Sequence, residues 1–252
     1  MHFLRFLALA AASLAFVVPA HAQPWPSKPV KVIVPFPGGG SADTLARLIG
    51  AELQEKLAQP FVVENRTGAG GNIGTEAVAK SPPDGATLLM TPSSIAIAPA
   101  LYAKLGYDPV KDFEPVTLVG SIPMVAVGHP AVPAKTMGEL IAQAKARPGQ
   151  ISYASAGFGT TNHLAFELFR AQTGTDFVHV PYRGNPLAMI DVIAGQVPVF
   201  FDFVLTGAPH VKSGAVRALA TTGAQRSGVL PDIPTAMEAG VKDFEASTWF
   251  AF

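Results

Sequence analysis

Seven short apolar runs recur along this chain, and each of the first six gives way to a loop of Gly, Ser or Pro and then to a helical pattern. The runs are VKVIVPF, PFVVEN, ATLLMT, GQISYAS, FVHVPY, VPVFFDF and VRALATT. Strands separated by helices pair in parallel, because each crossover returns the chain to the same end of the sheet. The pattern predicts an α/β fold of mainly parallel sheets flanked by helices.

The helical segments have their own periodicity. After the first run, Leu45, Leu48, Ile49, Leu53 and Leu57 fall on one helical face and are expected to point inward. A helix over Thr160 to Gln172 carries Leu164, Leu168 and Phe169 inward and stops at Gly174. Another opens at Asn185-Pro186, an N-cap followed by proline at the first helical position, and ends before Gly195. Two extended segments, Glu114 to Pro130 and Ala215 to Ala224, are longer than one strand of a compact lobe needs. They are expected to cross between two lobes, residues 23–120 plus 225–252 and residues 121–224. A single continuous sheet is the alternative.

The 252 residues, 49% of them hydrophobic, are enough to bury a core, and 18 basic residues balance 18 acidic ones. No overall field draws such a chain to nucleic acid or to an anionic membrane. The first 22 residues stand apart: Arg5 gives a short basic start, Phe6 to Val18 are uncharged and apolar, and Ala20-His21-Ala22 is a small-x-small cleavage site. They read as a secretory signal peptide, residues 1–22, and predict a periplasmic protein. There are no cysteines, so disulfides, thiolate chemistry and zinc-thiolate sites are excluded.

In open α/β sheets ligands bind at the carboxyl ends of strands, where helix N-termini present unpaired N–H groups. Four strand-to-helix loops of this chain carry the relevant residues. The first is PFPGGGSAD, with Ser41 as a helix N-cap and Asp43 either a first-turn acid or a contact for a ligand donor. The second is ENRTGAGGNIGTE, and the third, Thr91 to Ser94, contributes Ser93. The fourth is YASAGFGTTNHL, which is followed by the segments PYRGN and FFDFVLTG.

None of these loops is a nucleotide fingerprint. The first lacks the lysine of a P-loop, and GAGGNI and GFGTTN both lack the last glycine of GxGxxG. Ser155 sits in YASAG, where a nucleophile elbow needs glycine in place of Tyr153. There is no HExxH motif and no carboxylate pair in the Gly-rich loops, so the motifs of metal and glycosidase chemistry are absent. What the loops do offer is close approach of backbone N–H groups to a small anion, each charge-assisted hydrogen bond contributing ~1.5–3 kcal/mol. A carboxylate fits without a dedicated arginine. Arg66 and Arg183 flank the loops as surface cations or anion contacts, and His163 as a structural histidine or a ligand contact.

Taken together, the segments WPSKPVKVIVPFPGGGSADTLAR, VVENRTGAGGNIGTEAVAKSPPDGATLL, SYASAGFGTTNHLAFELF, HVPYRGNPLAMIDVIAGQVPVFFD and LPDIPTAMEAG resemble the receptors of tripartite tricarboxylate transporters, also called Bug receptors. The resemblance covers essentially all of the chain after residue 22. It implies a two-lobed Venus-flytrap protein that closes on a small carboxylate-bearing solute and presents it to the membrane permease subunits of a transporter, with no cofactor, metal or catalysis. A membrane sensor kinase is a further partner of such a receptor, and an exported enzyme acting on a small carboxylate or phosphate ester is the alternative function.

Carried over by motif, the ligand-binding positions are Gly38, Gly39, Gly40, Ser41 and Asp43 from one lobe. Ser155, Ala156, Gly157, Gly159, Thr160, Thr161 and His163, with Tyr182, Arg183 and Gly184, come from the other. Asp202 lies where the family contacts the variable part of the ligand. The N–H groups of Gly38 to Ser41 are expected to face the cleft. Family members continue past STWFAF with a further helix pair and strand, so a truncated chain is expected.

Overall fold

The structure, a computed structural model, describes residues 24–252. The expected signal peptide lies outside the described residues. The first sheet has three strands in the order β2, β1, β3, formed by β1 (Val30–Val34), β2 (Phe61–Asn65) and β3 (Thr87–Leu89), all parallel. Helix α1 (Ser41–Leu57) and helix α2 (Asn72–Ala79) connect these strands.

The second sheet runs β4 (Thr91–Pro92), β10 (Ser247–Ala251), β5 (Leu118–Gly128), β8 (Val199–Phe203), β6 (Ser152–Ser155), β7 (Val178–Pro181), with β9 (Arg217–Thr221) also on β5. Pairing is parallel for β6 with β7 and β8, and antiparallel wherever β5 or β10 takes part. The crossing strand explains the mixture. The first half of β5, Leu118 to Pro123, pairs with β10, whereas Met124 to Gly128 lie between β8 and β9. One strand thus belongs to both ends of the molecule. The second predicted crossing segment forms a strand of only five residues, after which Thr222 continues the pairing through its N–H to the Met124 carbonyl at 2.8 Å.

Strands buried on both faces read as near-continuous apolar runs, and the second half of β5, Met124 to Gly128, and β8 obey this. Met124, Ala126, Phe201 and Phe203 face one core cluster, with Phe166, Phe169 and Phe244, while Val125, Val127 and Phe200 face the other, with Met189 and Val192. The remaining helices are α3 (Ser94–Leu101), α4 (Met137–Ala146), α5 (Thr161–Thr173), α6 (Asn185–Ile193) and α7 (Val204–Lys212). Helix α5 ends in left-handed Gly174, as expected.

Two predicted helix faces are corrected. In α1 the buried stripe is Ala42, Ala46 and Gly50, flanked by half-buried Leu45, Ile49 and Leu53, while Leu48 is 62% exposed and Leu57 also faces out. At about 100° per residue Leu48 is turned about 200° from Ala46, and the small stripe lets the helix lie close to β2. In α5 the inward side is Asn162, Ala165, Phe166 and Phe169, and Leu168 is 41% exposed.

Candidate functional site

Four helices begin on one small cavity. Ser41 of α1, Ser94 of α3, Thr161 of α5 and Asn185 of α6 are the first residues of their helices and all line a space of about 30 Å³. Phe203, which precedes α7, lines it too. A helix presents about half a positive charge at its N-terminus through N–H groups that have no intrahelical acceptor. Here the amides of Gly40, Ser41, Thr161 and Asn162 donate to no protein group among the described residues. Phe36, Pro92 and Phe250 supply apolar wall, and no charged side chain lines the cavity. The helix ends therefore contribute partial positive charge to the cavity without a cationic side chain.

The expected row of amides from Gly38 to Ser41 divides in two. Gly40 and Ser41 line the cavity, but the Gly39 N–H donates to Asp43 Oδ2 at 2.9 Å, within its own loop. Asp43 is also held by Arg47 Nε at 3.1 and 3.0 Å and by Asn65 Nδ2 at 3.0 Å. Burial raises its carboxyl, yet Arg47, the Gly39 amide and Asn65 together keep it below the ordinary carboxylate value. Asp43 thus fastens the loop, and Gly38 packs near it and Asn65. The helix begins one residue earlier than an N-cap at Ser41 requires: Gly40 is the cap, and Ser41 Oγ instead lies 3.4 Å from Thr206 Oγ1.

The loop from Ser155 to His163 shows the same division. Ala156, Thr160 and Thr161 line the cavity. Gly157 donates its N–H to Ser155 Oγ at 3.1 Å, Gly159 to His163 Nδ1 at 3.3 Å, and Thr160 Oγ1 donates to the Gly157 carbonyl at 2.7 Å. Ser155 Oγ is 2.7 Å from His179 Nε2, and the His179 ring stacks on His163 and Tyr153. Ser155 is 0% exposed, so this hydroxyl and imidazole stiffen the loop from behind. Burial, with His163 alongside, lowers His179 to about 4. Burial likewise lowers His163.

Ser93 joins the site through hydroxyls. Its Oγ lies 2.8 Å from Thr161 Oγ1 and 3.0 Å from Thr248 Oγ1, and those two are 3.2 Å apart. Asp202 is 1% exposed and accepts a hydrogen bond from Asn185 Nδ2, so it holds a cavity residue in place from below. Burial pushes its carboxyl up to about 6, with Asn185, Thr206 and the Phe203 amide opposing. Helix α6 starts with Gly184 as cap and Asn185 as its first residue, one position earlier than the sequence indicated. Asn162, Asn185, Ser94 and Phe36 were not predicted as site residues. Asn185 carried a signal in its helix-start position, whereas Thr206 and Thr248 carried none.

A second, larger chamber of about 230 Å³ adjoins the first and shares Phe36 and Ala156 with it. The Gly68 to Gly71 turn and Tyr102 wall one side, and Phe158, Tyr182 and Arg183 the other. Tyr102 Oη donates to the Phe158 carbonyl at 3.2 Å across it. Tyr182 is anchored by its Oη to Asp191 at 2.7 Å, and Arg183 is exposed.

A three-stranded parallel sheet and a seven-stranded sheet whose long strand β5 changes partners halfway, with helices starting from both sheets meeting over a cavity lined by no charged side chain, define a two-lobed solute-binding protein of the periplasmic type. Residues 45–252 match the family described as "Tripartite tricarboxylate transporter family receptor", TctC. The chain belongs to this family of periplasmic solute-binding receptors. It is 41% identical to Protein BugT of Bordetella pertussis over 242 residues, 95% of this chain and 74% of that protein. The structure of R. palustris Rpa4515 with adipate is similar at a TM-score of 0.88 and 38% identity, over 90% of this chain and 76% of that one. The structure of MatC (Rpa3494) from Rhodopseudomonas palustris with bound malate is similar at 0.85 and 35% identity, over 90% and 78%.

Proposed function

We propose that this chain is a receptor that captures a small organic carboxylate between its lobes, without chemical turnover, and delivers it to the membrane permease subunits of a tripartite transporter. The convergence of four helix N-termini on a cavity lined by no charged side chain carries the reading. An anion is the species such a cradle stabilises, each N-terminus adding ~0.3–1 kcal/mol and each charge-assisted N–H bond ~1.5–3 kcal/mol. Four amides supply on the order of 10 kcal/mol against association costs of roughly 4–15 kcal/mol. Micromolar capture, about −8 kcal/mol, then also requires burial of the rest of the ligand.

In this arrangement the ligand-binding atoms are the amides of Gly40, Ser41, Thr161 and Asn162, with the hydroxyls of Ser41, Ser94 and Thr161. Gly39, Asp43, Ser155, Gly157, Gly159 and His163 hold the two loops in shape, and Asp202 holds Asn185. Lobes of residues 23–120 plus 225–252 and of residues 121–224 close over the anion, with differential affinity for the closed form driving the population shift. The adipate and malate bound by two relatives agree in chemistry with this ligand class. Residues 1–22 direct export to the periplasm.

Calorimetry against a panel of mono-, di- and tricarboxylates, amino acids and aromatic acids tests the proposal. Saturable one-to-one binding with the ligand recovered unchanged is expected. Product formation at catalytic turnover, or no binding by any acid of the panel, overturns it.

A further inference from the structure

On the measure in which one water needs roughly 10–15 Å³, the 30 Å³ cavity is room for a group of about carboxylate size. The rest of an organic acid then extends into adjoining space. The chamber that shares Phe36 and Ala156 with the cavity is about eightfold larger, and its walls are chemically distinctive. The aromatic residues Phe36, Tyr102, Phe158 and Tyr182 line it, and Arg183 is the one charged residue on its wall. The other arginines near these loops are committed: Arg47 to Asp43 and Arg66 to Glu64. Arg183 makes no ion pair and no side-chain hydrogen bond among the described residues, although the segment that carries it is fixed by the Tyr182 N–H to the Ser155 carbonyl at 3.0 Å.

We infer that this second chamber is the subsite for the distal part of the ligand, and that Arg183 is a specificity-determining residue that pairs with a second anionic group there. The inference rests on the carboxylate reading of the first cavity and deepens it. The favoured ligand is a diacid: one carboxylate on the helix N-termini, an apolar or aromatic body against the four rings, and a second carboxylate at Arg183. A planar guanidinium suits that end, since it takes a carboxylate in a bidentate fork. Tyr102 and Phe158, joined across the chamber, set how long that body can be.

The test is calorimetric, on the chain after residue 22, with two matched pairs: hexanoate against adipate, and benzoate against terephthalate. In at least one pair the second carboxylate is expected to raise affinity about fivefold or more, the scale of a partly exposed ion pair. Arg183→Gln should remove that gain, leave the monoacid within about twofold of its original affinity, and keep the melting temperature unchanged. Arg183→Lys should recover part of it. Equal affinities within both pairs, or an Arg183→Gln loss shared equally by monoacid and diacid, would overturn the assignment while leaving the carboxylate receptor standing. Absence of binding by all four acids would overturn the assignment, and the carboxylate receptor falls with it only when no acid of the wider panel binds either.

Discussion

Gly184 lies directly against Pro37. A Cβ built on Gly184 would sit 2.4 Å from Pro37 Cδ and 2.6 Å from its Cγ, far inside contact distance. Gly184 also holds φ 138° and ψ 163°, a region open almost only to glycine. Two loops that flank the small cavity therefore meet at a point with no space for a methyl group. Gly184→Ala is expected to destabilise the protein by about 1–3 kcal/mol through backbone strain. It should weaken ligand binding by tenfold or more, because the added Cβ meets Pro37 and pushes apart two loops that flank the cavity. Pro37→Ala in the same chain should restore part of the binding and none of the stability lost to strain. Equal losses in the single and double variants would show that the two residues do not meet in the bound form.

The hydroxyls of Ser93, Thr161 and Thr248 form a closed triangle, with sides of 2.8, 3.0 and 3.2 Å. Ser93→Ala removes two of the three contacts and leaves the Thr161 and Thr248 pair, so the expected effect is about 1–2 kcal/mol, or roughly a five- to thirtyfold fall in affinity. Thr161→Val also removes two contacts and in addition a cavity hydroxyl, and should cost more. A double-mutant cycle on Ser93 and Thr161, read by calorimetry, is expected to be non-additive. Strict additivity would mean that the triangle does not act as a unit.

The strand and loop order was legible because each apolar run and its glycine-rich exit are local, and β5 declared itself by its length. The α1 and α5 faces were not. Leucine periodicity marks a helix, but the side that packs was decided by Ala42, Ala46 and Gly50, which let the backbone approach β2 and left Leu48 outside. At the cavity, residues of two motifs singled out in the sequence come together, Gly40 and Ser41 with Ala156, Thr160 and Thr161. The sequence did not distinguish amides that face the cavity from amides already taken, such as Gly39 by Asp43 and Gly159 by His163, since that depends on side-chain orientation. Contacts such as Ser41 with Thr206 join residues 165 apart in the chain, and no local pattern records them.

Asp202 gives a pH dependence of definite sign. Its carboxyl is raised in the folded state to about 6, so the folded protein holds that proton more tightly than the unfolded chain does. The associated stability is fully present below the unfolded value near 3.8 and is lost as pH rises through about 6. Asp202→Asn has no charge to bury. Urea unfolding across pH should show the variant gaining on the wild type by on the order of 3 kcal/mol between acid and pH 8. A gap that stays constant with pH would mean that Asp202 is not desolvated in solution.

His179 acts with the opposite sign. Burial, followed by the neighbouring His163, lowers its imidazole to about 4, so the unfolded chain binds the proton first. The stability it contributes is fully present above about 6.5 and is lost as pH falls toward 4, on the order of 3 kcal/mol in all. Between pH 4 and 6 the Asp202 effect opposes that of the two lowered histidines, His179 and His163. His179→Gln keeps a hydrogen-bonding partner for Ser155 Oγ without a titrating group, so the variant should gain on the wild type as pH falls through that interval. An NMR titration placing the His179 imidazole near 6.5 in the folded protein would remove the basis of this prediction, because the ring would then be solvated rather than packed behind the Ser155 loop.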